Sequence, residues 1–194
     1  VHVQENAGAG AARNKGLQAS TGKYIMFVDA DDYLHKSTLH EFHEILSSGK
    51  YDVVMFNYVR FNEQGKFRNN RPLFYDGYEY GKDSKKEIYQ RLVSHHNLNH
   101  PVAKFYSRDI ISRNGICFDE GIRMGEDRVF NLHYFYYSRR GLYRDLFYYY
   151  YRQYNQSLSK KFNISRYYDL KATHEYRRKF INLYELNNNI INES

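Results

Sequence analysis

Two apolar runs separated by one amphipathic helical pattern constrain the fold of this chain more than any other feature. Residues 24–28 (YIMFV) form an unbroken apolar stretch after Gly22 and Lys23, and residues 51–61 (YDVVMFNYVRF) are rich in β-branched and aromatic side chains. Between them Leu39, Phe42, Ile45 and Leu46 recur at the spacing of one helix face, with Ser37 placed as an N-cap. A short continuous apolar run suits a strand covered on both faces, so 24–28 reads as a buried, parallel strand and 51–61 as a second strand. Strand, helix and strand in alternation predict an α/β layer, a sheet flanked by helices.

The rest of the chain extends that layer. "VHV" at residues 1–3 reads as a strand end, and the small residues that follow allow a helix carrying Ala11, Ala12 and Leu17 to pack closely on a sheet. Residues 62–83 are polar and read as a surface excursion or hairpin, followed by a helix near 84–94. Ser107 can cap the segment RDIISRN, and Gly115 suits its C′ position. A helix starts near Glu126 with Val129, Phe130, His133, Tyr134 and Tyr137 on one face; 141–153 is a strand and 165–186 a charged, Tyr-rich helix. The organisation expected is one domain over 1–160 and a helical extension over 161–194.

Chemistry concentrates where the first apolar run ends. YIMFVDADDYL places Asp29, Asp31 and Asp32 within four positions. A single Asp there would cap the next helix, but three like charges about 4 Å apart repel by roughly 1 kcal/mol in water and more near a protein surface. A divalent cation turns that repulsion into attraction, and the carboxyl end of a sheet strand is where α/β ligands bind. An EF-hand fails, because its Gly and Glu positions hold Leu34 and His40. GAGAAR (8–13) is an incomplete dinucleotide fingerprint, and the Gly16, Gly22, Lys23 spacing misses a Walker A loop by one residue. RMGEDRVFN (123–131) puts Glu126 and Asp127 in a helix's first turn, where acids also suit the helix dipole. The histidines of HHNLNH sit in a loop, and His40 with His43 lack a complete metal-ligand set.

Composition narrows the partners. A net charge of +7 favours an anionic partner, and 22 Tyr with 13 Phe give surfaces suited to sugars, nucleic acids or membrane interfaces. The single cysteine, Cys117, excludes an internal disulfide, fits a reducing compartment and reads as a core residue. No apolar stretch reaches 18 residues, so no transmembrane helix is expected. The basic, Tyr-rich tail SRYYDLKATHEYRRKF could touch nucleic acid or a membrane surface. A nucleic-acid binder would make no use of the acids in DADD, so no nucleic acid partner is expected.

Taken together, three segments in this order resemble the family 2 glycosyltransferases, inverting enzymes of the GT-A fold. QENAGAGAARNKGLQASTGKYIMFVDADDYL looks like the family's Asn-x-Gly, Ala-Arg-Asn, Gly-Lys-Tyr and Asp-x-Asp-Asp series. PVAKFYSRDIISRNGICFDEGIRMGEDRVFN looks like its acceptor-side block, and YYYYRQYNQSLSKK like the segment that follows. The resemblance implies a Rossmann-like mixed sheet flanked by helices and metal-dependent transfer from a nucleotide-sugar donor, UDP-linked, to a glycan or lipid-linked acceptor. Asp31 would bind Mn²⁺ or Mg²⁺, Asp29 would contact the donor, Asp32 would support the site and Arg13 would lie on the nucleotide side. Asp127 would be the general base, with Glu126 beside it. The location implied is cytoplasmic, with peripheral contact at the inner membrane face through the tail. The family's first β-α-β unit should precede VHVQENAG, making the natural protein longer by roughly 60 to 90 residues. Val102 stands where the family often has Trp, which implies an altered acceptor pocket. The alternative readings are a non-catalytic sugar or nucleotide-sugar binding relative and, ranked below it, a basic nucleic-acid-binding protein.

Overall fold

The structure, a computed structural model, describes residues 3–94, 96–153 and 164–183. The expected strand end at 1–3 and the segment YNQSLSKK after 153 therefore lie wholly or partly outside the described residues, as does the 160/161 boundary. Helix α1 (Gly8–Ala19) leads to the short strands β1 (Tyr24–Ile25) and β2 (Tyr33–Leu34), then to α2 (Thr38–Ser47) and the long strand β3 (Val53–Asn62). The excursion carries β4 (Phe67–Asn69) and β5 (Tyr78–Tyr80), followed by α3 (Lys85–Ser94) and the single turn α4 (His96–Asn99). The remainder is β6 (Lys104–Ser107), α5 (Arg108–Arg113), α6 (Glu126–Tyr137), β7 (Gly141–Gln153) and α7 (Ile164–Leu183).

The strands form one mixed sheet in the order β1-β6-β3-β7-β2, with β4 added to β3 and β5 to β7. Its spine is the parallel pair β3 and β7, in register from Val53↔Gly141 to Asn62↔Gln153 with an irregularity at Asn57. Gly141 can start β7 only because it lacks a side chain: a Cβ there would lie 2.0 Å from the Tyr80 ring. Strand β3 shows why the sheet is covered twice. Val53 and Met55 enter a core built with α3, α5, α6 and Ile181 of α7, while Val54, Phe56 and Tyr58 enter a second core with Phe42 of α2. Successive strand residues point to opposite faces, so a continuous apolar run needs a helical layer on each side. Phe42 is fully buried, and its truncation to Ala should cost about 3–5 kcal/mol.

Several expectations change. The 24–28 run is not a parallel strand over its length. Tyr24 and Ile25 pair antiparallel with Ser107 and Tyr106 of β6, and only Phe27 makes an isolated parallel bridge, to Val102. Ala103, at φ 55, turns the chain between Val102 and Lys104 and allows both relations. Helix α6 is buried on more than the face read from its period: Asn131, Leu132 and Phe135 are also buried, whereas Tyr137 is 43% exposed. It packs against α3, α4, α5 and α7, which leaves little of its circumference to solvent. Cys117 is exposed rather than in the core, because its neighbours Ile116 and Phe118 take the inward positions of that extended segment. The loop expected at 95–100 contains the turn α4. Ser37 and Ser107 occupy N-cap positions without making side-chain cap bonds, while Gly115 adopts the left-handed φ of 59° that its C′ position requires.

Candidate active site

Three aromatic rings set the spacing of the site. Phe27, two residues before Asp29, meets Phe118 edge-on at 5.2 Å and Phe130 of α6 at 5.5 Å. Phe118 and Phe130 stack at 4.2 Å, and the Arg13 guanidinium lies 5.3 Å over Phe118. Such contacts fix ring positions as well as burying area. They bring the end of the 24–28 run and the start of α6, nearly one hundred residues apart in sequence, onto one apolar floor.

On that floor Arg13 joins three other expected site residues, Asp29, Glu126 and Asp127, into one network. Its Nη2 donates to Asp29 Oδ1 at 2.8 Å, and its Nη1 donates to Asp127 Oδ1 at 2.7 Å and Glu126 Oε1 at 3.3 Å. The Arg13 side chain is 14% exposed and that of Asp127 25% exposed, so this cluster is screened from water but reachable. Burial works against the Arg13 charge, and Asp127, Asp29 and Glu126 together more than reverse it, raising its pKa. Burial also drives the Asp127 carboxyl above the usual carboxylate range; Arg13 opposes this, while Glu126 and Asp29 reinforce it. A carboxylate raised in this way is a better proton acceptor near neutral pH than an exposed one.

Asp32 and Asp31 stand apart from that network. Asp32 accepts from Tyr149 Oη at 2.6 Å and from the Arg152 backbone N–H at 2.8 Å, and the Asp29 N–H donates to the same Tyr149 oxygen at 3.2 Å. Burial raises the Asp32 pKa, against the pull of those two hydrogen bonds. Asp31 is exposed on the rim, and among the described residues its carboxylate makes no hydrogen bond or ion pair. Among the described residues no group of three His, Cys, Asp or Glu could hold a metal alone. A single open carboxylate fits the kind of Mg²⁺ or Mn²⁺ site completed by water and substrate phosphate oxygens, so the residues present suit such an ion.

Several supporting residues were missed in the sequence. Asn14 of α1 donates to Phe118 O at 2.9 Å and accepts from Phe118 N at 2.8 Å, locking α1 to the segment before α6. Asn131 donates to Asp127 O and Asn99 O and accepts from Tyr106 Oη, which fixes the first turn of α6 from below. Lys104 is buried beside Asp127, with its ammonium donating to His100 O and Val102 O. Burial pushes its pKa down to about 7, and the Asp127 charge limits the fall. A lysine in an otherwise apolar strand was the available signal for it. Tyr149 could have been suspected only from its place in the run of four tyrosines at 148–151.

Cavities open on both sides of Arg13. One of about 630 Å³ lies between α1 and the 24–30 segment, with Arg13 and Asp29 in its wall. Another of about 450 Å³ is lined by Glu126 and Asp127 together with His100, Arg123, Arg128 and Thr173. Helix α7 is a wall of this second cavity rather than a detached tail. Thr173 Oγ1 donates to Asp169 O and contacts Met124 O, and a Cβ on Gly125, at φ +93°, would lie 2.6 Å from that oxygen. Among the described residues no helix is long and apolar enough to cross a membrane.

A mixed sheet covered by helices on both faces is the architecture of the GT-A glycosyltransferases. A Staphylococcus aureus TarS fragment solved with UDP-GlcNAc superimposes with a TM-score of 0.70 at 23% identity, over 93% of this chain and 48% of that one. The chain belongs to glycosyl transferase family 2, whose sequence model matches residues 1–115. Among curated relatives, the uncharacterized glycosyltransferase EpsJ of Bacillus subtilis is 29% identical over 81% of this chain and 45% of its own length. The poly(ribitol-phosphate) beta-N-acetylglucosaminyltransferase TarP of S. aureus is 27% identical over 67% of this chain and 37% of its own. The chain thus spans about half or less of the relatives it matches.

Proposed function

We propose that the protein transfers a sugar from a nucleotide-sugar donor, UDP-linked, to a hydroxyl of a glycan or lipid-linked acceptor in cell-surface polysaccharide synthesis, with inversion. One observation carries this reading: a base-competent carboxylate, Asp127, lines a cavity and is linked through Arg13 to the carboxylate turn that ends the 24–28 run. Family membership and the TarS-like fold support a sugar transferase, and the UDP-GlcNAc bound in that neighbour supports the donor class. The relatives' names support a cell-surface polymer as the product.

In this reading the donor lies on the Asp29 side of Arg13, with Asp31 on its diphosphate and Asp29 on the donor sugar or ribose. Mn²⁺ or Mg²⁺, held by Asp31, would neutralise the charge that develops on the departing nucleoside diphosphate. The acceptor oxygen bonds to the anomeric carbon as the bond from that carbon to the diphosphate oxygen breaks, the electron pair leaving with the diphosphate. Asp127 takes the hydroxyl proton, and Glu126 orients the acceptor. Arg13 shares its guanidinium between the two sides and limits the rise that burial imposes on the Asp127 pKa. Tyr167 and Tyr168, exposed on α7, would supply peripheral contact with the inner membrane surface.

The test is direct. The protein with UDP-GlcNAc, Mn²⁺ and a panel of acceptors should release UDP and give a product of inverted anomeric configuration by NMR. Donor binding without UDP release under any condition would favour a non-catalytic binder, and a product of retained configuration would refute the single displacement.

A further inference from the structure

Strand β6 carries one charge into the core. Lys104 is 2% exposed and pairs with Met55 of β3, on the sheet face that also carries Tyr106 toward α6. A lysine is almost never fully buried without partners, and an apolar side chain of similar length would pack there at lower cost. Its partners lie in its own approach: the ammonium donates to His100 O and, at 3.4 Å, to Val102 O. Residues 100–103 belong to no helix and make only an isolated bridge, Phe27↔Val102. Their carbonyls hold them instead, with Ala103 O accepting from the Phe56 N–H at 3.0 Å and the other two held by Lys104. Just before them, Asn99 O accepts from Asn131 Nδ2, which also donates to Asp127 O, so this segment and the first turn of α6 are tied together. Asn99 and His100 are walls of the cavity beside Asp127.

Charged groups face Asp127 from several elements. Arg13 of α1, Glu126 of its own helix and Asp29 of the acid turn act on its carboxylate, and its charge in turn reaches Tyr106 and Lys104 of β6. His100, Arg123 and Arg128 line the same cavity. Burial raises the Tyr106 hydroxyl well above its ordinary value, so it stays neutral and Lys104 is the charge that β6 supplies. Burial lowers the Lys104 pKa to about 7, and Asp127 limits that fall. An interaction between two charges is mutual, so Lys104 favours the ionised form of Asp127 to the same degree. Because Lys104 is buried, its charge acts on Asp127 without occupying the cavity.

We propose that Lys104 is a positioning residue for transfer: its ammonium fixes the 100–103 wall of the cavity through the His100 and Val102 carbonyls and supplies, from inside the protein, a positive charge that favours the ionised Asp127. The inference rests on the transferase reading for the role of Asp127 as base, while the coupling of the two side chains is a property that can be measured without donor or acceptor.

The pH dependence of kcat/KM for UDP release would be measured in the wild type, Lys104→Gln and Lys104→Arg. Lys104→Gln keeps a hydrogen-bond donor and loses the charge, so the acid limb of its profile should move up by about one pH unit. Above about pH 8 its rate should approach that of the wild type, where Lys104 has itself lost its proton. Lys104→Arg keeps the charge and should restore the acid limb even where it lowers the rate. The Asp127 carboxyl, assigned in ¹³C NMR by its loss in Asp127→Asn, should titrate at higher pH in Lys104→Gln by a similar amount. Should Gln disturb folding, Lys104→Met, apolar and of similar length, should give the same displacement. An Asp127 titration unchanged in both Lys104→Gln and Lys104→Met would overturn the proposal. So would a lower rate at an unchanged pH profile, which is what a merely structural lysine gives. Absence of UDP release from the wild type would strike the transferase assignment instead, and the Asp127 titration would still decide the coupling.

Discussion

The turn at 29–32 and the first turn of α6 each present adjacent carboxylates, yet the fold holds them in opposite ways. Glu126 and Asp127 share a single guanidinium in a screened pocket over three aromatic rings, and burial raises the Asp127 pKa. The 29–32 turn is divided: Asp29 goes to Arg13, Asp32 to Tyr149 and Arg152, and Asp31 is left on the rim. Proton transfer needs a desolvated carboxylate with a raised pKa, whereas a hard cation needs an accessible, ionised oxygen. On the proposed function the same residue type is tuned by its surroundings to two different tasks, with Arg13 as the strut between them.

The largest effect should come from the base side. Asp127→Asn keeps the shape and one hydrogen bond to Arg13 but cannot take a proton, so transfer should fall by about 10³-fold while donor affinity holds. Steady-state UDP release beside a donor titration would show it, and loss of both together would mean that the two acidic regions are not separable. Next in size is the strut. Arg13→Ala leaves three screened carboxylates without their shared cation and should lower the unfolding free energy by ~3 kcal/mol in urea titration. Arg13→Lys should recover only part of this, because an ammonium cannot reach both sides as the planar guanidinium does.

Smaller effects are expected on the rim. Tyr149→Phe removes the bond to Asp32 and the acceptor for the Asp29 N–H, a loss of ~1–2 kcal/mol, and should weaken metal-dependent donor binding more than it slows transfer at saturating donor. The smallest is a slope. Because Asp127 holds its proton more firmly in the folded than in the unfolded chain, its contribution to stability is present at low pH and is lost as pH rises through the raised value. Melting temperatures measured from pH 5.5 to 8 should therefore decline less in Asp127→Asn than in the wild type. An equal decline in both would place the titration elsewhere.

What could be read in the sequence was what is local. The β3 and β7 strands, the starts of α6 and α7 and the Gly115 cap follow from period and from left-handed φ, which neighbouring residues decide. Both acidic segments were visible as charge at the ends of apolar patterns. What escaped was settled by distant partners. The pairing direction of Tyr24 and Ile25 depends on β6, eighty residues on. The resemblance puts Arg13 on the nucleotide side, and its position between two acidic segments depends on Phe118 and Asn14 bringing α1 against the α6 entry. Lys104 and Tyr149 act through burial, which no spacing announces. Cys117 reads as a core residue because its residue type favours burial, whereas the alternation of its extended segment turns it outward.

The central claim is that Asp31 serves the donor diphosphate and Asp127 serves the acceptor proton. Calorimetric titration of UDP-GlcNAc with and without Mn²⁺, in wild type, Asp31→Ala and Asp127→Asn, tests it most directly. The account expects Mn²⁺-dependent binding in the wild type and in Asp127→Asn, abolished by EDTA and absent in Asp31→Ala. Metal-dependent binding that survives in Asp31→Ala, or disappears in Asp127→Asn, would contradict it.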